Sequence, residues 1–198
     1  MLPETKTLLS RWQSLSQGKL PRREQFNPFQ IPNLLPDMFV LDVRGRVEDY
    51  TFRLVGTALT TAYGLDMTGK RLEEIKLGQV NDTILKDYEV CAHQKVAALS
   101  RQTFKVRNLG PFWHERLLLP FETDKPGEVG QIIGGFFFET AYKGLNWKNQ
   151  ITDWAEEERF RYDLSAADAA RAPNLAVHIT VGANIDTVPA SIASPPAI

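Results

Sequence analysis

The side chains best suited to metal or thiol chemistry are three histidines and one cysteine: His93, His114, His178 and Cys91. A zinc site is usually built from closely spaced ligand pairs, such as two histidines one turn apart on a helix. The histidines of this chain are scattered, and no two of them have such a spacing. A single cysteine cannot form an internal disulfide. We therefore predict no metal site, and we interpret Cys91 as a small buried or half-buried side chain.

Carboxylates form a second candidate group, suited to acid–base chemistry. Asp66, Glu73 and Glu74 lie close together in the sequence. Asp66 stands in a turn-forming run, where its side chain is expected to tighten the turn. An enzyme of the cone-shaped isomerase or dehydratase kind needs an internal Asp/His or Tyr/Asp pair, and no such pair faces inward in a predicted element. We therefore expect no catalytic activity, and such an enzyme is the least favoured alternative.

Tyrosines are the third group. Tyr63 and Tyr88 carry hydroxyls that need partners if buried, so they are better pocket candidates than the phenylalanines, which are explained as core. Arg53 is expected to pair with Asp66 or Asp42 rather than to bind an anion.

Composition excludes several classes of partner. The 198 residues include 23 Lys plus Arg against 24 Asp plus Glu, so no basic excess indicates binding to nucleic acid or to an anionic membrane. The N-terminus lacks the apolar segment of a signal peptide, and the most apolar run, 131–138, is too short to span a bilayer. We expect a soluble cytoplasmic protein.

The stretch 50–69 is expected to organise the domain. Its alternation predicts a strand from Tyr50 to Val55, with Phe52 and Leu54 on one face. Ala58 to Tyr63 is predicted to form a short helix that ends at Gly64, because glycine adopts the left-handed cap conformation without strain.

Other elements flank this stretch. Thr5 to Gln17 is predicted to be an amphipathic helix with Leu8, Trp12 and Leu15 on one stripe. The proline-rich connector 18–37 leads into a strand at Met38 to Arg44. A long helix is expected from Asn81 or Asp82 to about Ser100, and its buried stripe comprises Leu85, Tyr88, Ala92, Val96 and Leu99.

Three strands are predicted to follow, at Arg101 to Asn108, Trp113 to Glu122 and Val129 to Thr140. The last of them is apolar on both faces and must therefore be covered on both sides. The central helices can cover one side. The N-terminal helix, or alternatively a second subunit, is expected to cover the other.

The C-terminal part has a weaker pattern. Trp147 to Arg161 is predicted to be a helix and Ala176 to Val181 an isolated strand, while much of 163–198 is expected to be mobile. Three regions result, namely an N-terminal packing or dimerisation helix at 5–18, a core domain at 19–141, and a helix with a largely irregular tail at 142–198.

Two strands, short helices, one long helix and three strands make an α+β domain, and this order resembles that of PAS domains. The motifs F-R-L-V-G-T at 52–57 and G-L-D-M-T-G at 64–69 resemble a subgroup of small stand-alone bacterial PAS proteins, common in alphaproteobacteria. The runs 20–23 and 31–43 are similar to the lead-in of that subgroup. The resemblance covers residues 8 to 141. It implies a five-stranded antiparallel sheet with short helices and one long helix on one face, plus the N-terminal helix.

The resemblance implies a sensory or regulatory module that binds a small ligand, a signalling protein partner, or both. A haem would need a histidine on the long helix, but His93 lies at the flank of the apolar stripe and is expected to face solvent. A photosensory flavin would need a reactive cysteine in a particular context, which Cys91 lacks. No cofactor is therefore expected. The predicted ligand pocket comprises Phe52, Leu54, Tyr63, Leu65, Tyr88, Ala92, Phe104, Leu117 and Phe136.

A pure interaction module with a closed pocket is the alternative. Its interface, and that of a homodimer, is predicted at Leu8, Trp12 and Leu15 of the N-terminal helix.

Overall fold

The computed structural model describes residues 1–75, 81–106, 110–139, 151–162, 175–177 and 181–183. Three α-helices lie in these ranges: α1 (Pro3–Ser16), α2 (Thr57–Tyr63) and α3 (Asn81–Gln94). Short 3-10 helices occupy Arg23–Gln25, Pro28–Gln30, Pro32–Asp37, Val47–Asp49 and Leu72–Glu74. The strands are β1 (Met38–Asp42), β2 (Thr51–Val55), β3 (Ala97–Val106), β4 (Gly110–Glu122), β5 (Val129–Phe138), β6 (Ile151–Tyr162), β7 (Leu175–Val177) and β8 (Val181–Ala183).

The strands form one sheet in the order β2-β1-β5-β4-β3-β6-β7, and β8 pairs with β6. All of the pairings between these strands are antiparallel. The first five strands reproduce the predicted five-stranded antiparallel sheet, and the α+β class is confirmed. The three C-terminal strands lengthen this sheet beyond β3.

The helix predicted at Trp147 to Arg161 is wrong for the residues that the structure describes. Ile151–Tyr162 is a strand that pairs with β3 from Val106 to Ala97. An open strand edge leaves backbone N–H and C=O groups without partners, and this pairing satisfies them in preference to local helix formation. The strand predicted at Ala176 to Val181 is replaced by β7 and β8 on either side of residues 178–180. The mobility predicted for 163–198 falls largely on residues outside the described ranges.

The long helix is shorter than predicted. It ends at Gln94, and Lys95 has a left-handed φ of 58° that turns the chain into β3. Residues 97 to 100 belong to β3, where Leu99 pairs with Leu117. Val96 and Leu99 therefore do not continue the buried stripe of the helix. The long-range pairing of β3 with β4 and β6 overrides the helical periodicity at this point.

The sheet is covered on both faces, as the apolar pattern of β5 predicts. Ile132, Phe136 and Phe138 belong to an inner core with α2 and α3. Ile133 and Phe137 belong to an outer core with α1. Leu8, Leu9 and Trp12 of α1 are buried in this outer core, and the Trp12 Nε1–H donates to the Pro120 carbonyl at 2.9 Å. The prediction that the N-terminal helix covers the second face is confirmed.

Gly134 of β5 has no side chain and therefore leaves room for an aromatic ring on the inner face of the sheet. A Cβ at this position would collide with the ring of Phe39, which therefore lies directly on the β5 backbone. The Phe39 ring contacts Phe52 at 5.6 Å and Phe136 at 5.3 Å between centroids. The absence of a side chain at Gly134 thus allows three strands to bring their aromatic rings together.

Replacement Trp12→Ala should lower the free energy of unfolding by about 3–5 kcal/mol, because it empties a fully buried volume in the outer core. Urea denaturation followed by circular dichroism measures this change. Phe29→Ala is the control, since the Phe29 side chain is 82% exposed and its loss should change the value by less than about 0.5 kcal/mol. Equal effects of the two replacements would show that α1 does not cover the sheet in solution.

Candidate functional site

A small cavity lies between the inner face of the sheet and the helices. Its volume is about 20 Å³, roughly that of a single water-sized probe. Its lining is mainly apolar and includes the side chains of Phe52, Tyr63, Met67, Leu72, Ile75, Ile84, Leu85, Tyr88 and Phe136. The wall comes from β2, β5, α2, the 3-10 helix Leu72–Glu74 and α3. This is the region where the sequence predicted a ligand pocket.

Four of the predicted pocket residues line this cavity, namely Phe52, Tyr63, Tyr88 and Phe136. Ala92 is buried in the same core, and Leu65 packs against it. Phe104 pairs with Phe112 in the β3–β4 ladder, but its side chain is outside the described part of the structure.

Leu54 does not face the cavity. A β-bulge in β2 leaves Leu54 opposite Val40 and Phe52 opposite Leu41, so Arg53 is the extra residue between them. The bulge reverses the alternation and leaves Leu54 52% exposed on the outer side. There it borders an open surface groove of about 890 Å³. In this groove Arg53 pairs with Asp42 at 3.7 Å, so Asp42, one of the two alternatives predicted, is its partner.

Leu117 also lies on the opposite face. It pairs with Leu99 and Gly135, and it is fully buried in the outer core that α1 covers. The inner face of β4 is formed by the even-numbered residues instead, including Phe112 and Leu118. The predicted parity of β4 was therefore wrong by one residue, an error that moves every side chain of a strand to the other face.

That parity error concealed a buried polar cluster. Its members are Ser100 and Gln102 on β3, His114 and Arg116 on β4, and Asp87 on α3, each of them at most 3% exposed. The Arg116 guanidinium donates to the Asp87 carboxylate through Nη2 at 2.6 Å. Alternation along His114-Glu115-Arg116-Leu117-Leu118 does indicate that His114 and Arg116 share a face, but it does not say which face.

The cluster adjoins the cavity. Arg116 pairs in register with Ser100 on one side and with Phe136, a cavity residue, on the other. Its guanidinium carbon lies 5.7 Å from the centroid of the Tyr88 ring, which is a cation–π contact with another cavity residue. Along the rows that contain Arg116 and His114, the inner face thus changes from polar at β3 and β4 to apolar at β5.

The ionisable rings of the site are held in their neutral forms. Burial lowers the pKa of His114 to about 3, the Arg116 charge adds to this effect, and a hydrogen bond with the Gln102 backbone opposes it. The His114 ring stacks on Phe138 with centroids 5.3 Å apart. Burial raises the pKa of both Tyr63 and Tyr88 far above the ordinary value for a phenol.

The remaining predicted residues lie elsewhere. His93 is exposed on α3 and Cys91 is buried in the inner core, as predicted. Asp66 tightens its turn by accepting the Thr68 N–H at 2.9 Å. Leu8 and Trp12 are buried against their own sheet and Leu15 is partly buried, so an intermolecular role for these three residues stays a prediction.

Within the described ranges, no three His, Cys, Asp or Glu side chains come together in a way that would hold a metal ion. Across the same part of the chain, no helix has the length and apolar character needed to span a membrane.

Comparison with known proteins identifies the family. A PAS domain family model matches residues 2–136. The chain therefore belongs to the PAS domain family, which is a class of sensory modules. One similar solved structure comes from work on a flavin analogue and the mechanism of a light-oxygen-voltage domain. It is 12% identical, with a TM-score of 0.41, over 58% of this chain and 85% of that chain. No curated protein matches the sequence.

Replacement Asp87→Ala should lower the free energy of unfolding by about 3–5 kcal/mol, because it leaves the Arg116 charge buried without its carboxylate. The double replacement Asp87→Leu with Arg116→Met should recover most of this loss, since it removes both charges. Urea denaturation of the three proteins tests the expectation. Glu128→Ala breaks the exposed Lys125–Glu128 pair as a control and should change the value by less than about 1 kcal/mol. A double variant no more stable than Asp87→Ala would contradict this account.

Acid should destabilise the protein through His114. The folded state keeps this ring neutral down to a pKa of about 3, whereas the unfolded chain protonates it near pH 6.5, so the unfolded state binds the extra proton between these values. This contribution to the free energy of unfolding is fully present above pH 6.5. As the pH falls below that value, it decreases by about 1.4 kcal/mol per pH unit. Denaturation curves of wild type and His114→Gln from pH 7 to pH 4 measure the difference. His93→Gln, at an exposed site, is the control, and parallel curves for wild type and His114→Gln would refute the assignment.

Proposed function

We propose that this chain is a regulatory PAS module that binds a small molecule between α3 and the inner face of the sheet and has no catalytic activity of its own. The observation that carries the proposal is the buried Asp87–Arg116 pair beside the cavity. The loss of hydration cancels much of the Coulombic attraction in a buried ion pair. Well-packed apolar side chains at the same positions often give a protein equal stability. Clusters of buried polar and ionisable groups beside a cavity are instead typical of binding sites.

The placement of the pair supports a regulatory role. Asp87 belongs to α3 and Arg116 to β4, so the pair couples the helix that covers the site to the sheet beneath it. A ligand that alters this contact would bias the position of α3, and a protein partner bound to the module would detect the change.

This proposal includes a cytoplasmic location, a signalling partner, homodimer formation, and membership of the small stand-alone bacterial subgroup that the motifs at 52–57 and 64–69 resemble.

The small cavity requires the site to expand when a ligand enters. Its walls include two short helices, the seven-residue α2 and the three-residue 3-10 helix Leu72–Glu74. Short elements open at a lower free-energy cost than long ones. Met67 adds a flexible side chain that can repack around a new occupant.

A second candidate function is a pure interaction module with a closed pocket. The cavity volume of about 20 Å³ favours it, because side chains already fill nearly all the space between the helices and the sheet. In this case the signal would be the partner itself.

Protein isolated from its native cells should carry a small molecule that mass spectrometry detects after organic extraction. Leu85→Phe should carry none, because the larger ring fills the cavity from a partly exposed position. The same substitution at the exposed Leu54 should leave the bound molecule in place. Adding the extracted compound at a hundredfold excess over its dissociation constant should raise the stability of the wild type by about 2.7 kcal/mol.

If wild type and Leu54→Phe also carry no compound, and a broad thermal-shift screen gives no hit, ligand binding is refuted and the interaction module remains.

A further inference from the structure

Two buried hydrogen-bonding groups of the inner face have no partner within the described part of the chain. They are the Ser100 hydroxyl and the Gln102 side-chain nitrogen. Ser100 is 2% exposed and Gln102 is 3% exposed, so bulk water does not reach them. Proteins rarely leave a buried donor unsatisfied, because each one forfeits the hydrogen bonds that it made to water. The Gln102 nitrogen only donates, and the Ser100 hydroxyl both donates and accepts, so one acceptor oxygen can serve both groups.

These two groups lie at the polar end of two rows of side chains on the inner face of the sheet. One row across the sheet runs from Ser100 through Arg116 to Phe136, and the next runs from Gln102 through His114 to Phe138. Neighbouring strands lie about 4.8 Å apart, so the row spans about 10 Å from the Ser100 strand to the Phe136 strand at the cavity. A ligand that satisfies the donors and fills the cavity therefore has a polar end and an apolar body of about this length.

The charges already in place argue against an ionised ligand. The Arg116 charge is balanced by Asp87 at 2.6 Å, and the His114 ring is uncharged because burial lowers its pKa. A ligand carboxylate would add a second anion beside Asp87 in a region closed to water, which costs free energy by desolvation and by like-charge repulsion.

Resting on the proposed function, we propose that the site takes an uncharged amphipathic molecule with a carbonyl-type acceptor. Its oxygen accepts hydrogen bonds from Ser100 and Gln102, and its apolar chain extends along Phe136 into the cavity. Ketones, lactones and amides with a chain of about eight carbon atoms belong to this class.

The experiment compares the binding of 2-octanone with that of octanoate, a pair that differs mainly in charge. Each compound is titrated into the wild-type protein while the NMR signals of the backbone amides are followed. We expect 2-octanone to bind at least tenfold more tightly than octanoate. Ser100→Ala and Gln102→Leu should each weaken 2-octanone binding about fivefold, since each removes one donor.

Stability of the ligand-free protein gives a second readout. Ser100→Ala should raise the melting temperature, because it removes an unsatisfied buried hydroxyl. Ser16→Ala is the matched control, as the Ser16 hydroxyl donates to the Gln13 carbonyl at 2.9 Å, and this replacement should give no such increase and no change in binding. A purely structural hydroxyl at Ser100 would instead lower the melting temperature when removed.

Three results would overturn the inference, namely tighter binding of octanoate, no binding of 2-octanone, or unchanged 2-octanone binding in both the Ser100 and Gln102 variants. None of them decides the proposed function, which the extraction experiment tests separately with the native compound.

Discussion

The structure depends on one constraint, that strand β5 is apolar on both faces and must be kept from water on both sides. Burial of apolar surface is the main favourable term in folding, and a strand of this kind is stable only between two covering layers. The helices α2 and α3 supply one layer and α1 the other. The N-terminal helix is therefore part of the folded domain rather than an attachment to it.

The two layers differ in the polar groups that they bury. The outer core, around Trp12, Leu117, Phe121 and Phe137, is mainly apolar, but it also buries Glu115, which pairs with Arg101 at 3.0 Å. The inner core contains the Asp87–Arg116 ion pair, a neutral His114 and, among the described residues, side-chain groups of Ser100 and Gln102 without a hydrogen-bond partner. Such groups lower stability unless something compensates them. The apolar side chains of both cores offset this cost, so the inner core retains its polar cluster.

Local patterns predicted the parts of the fold that local physics controls. The alternation in β5 and the apolar stripe of α3 correctly predicted that Phe136 and Tyr88 lie in the inner core. The glycine after Tyr63 correctly predicted the end of α2, where Gly64 has a φ of 60°. The errors came from interactions between distant parts of the chain. A bulge in β2, opposite β1, turned Leu54 outward. The pairing of β3 with β6 made strands of residues 97–100 and 151–161, for which the local pattern indicated helix.

The candidate site was the least predictable part for the same reason. Asp87 and Arg116 are separated by 29 residues, and nothing in their local sequence indicates that they meet. The positions of Ser100 and Gln102 beside Arg116 and His114 depend on the register of β3 against β4, which the alternation of either strand alone does not determine. Part of the pocket lining could thus be predicted from side-chain patterns, whereas its polar end required the assembled sheet.

The central claim is that the inner face of the sheet is a ligand site with a polar and an apolar end. The most direct test is a high-resolution crystal structure of the protein purified from its native cells without unfolding. The account predicts density for a non-protein molecule between α3 and the sheet, with an oxygen atom within hydrogen-bonding distance of Ser100 and Gln102. A closed inner core in which that space holds only protein side chains, with both groups hydrogen-bonded to protein, would contradict it.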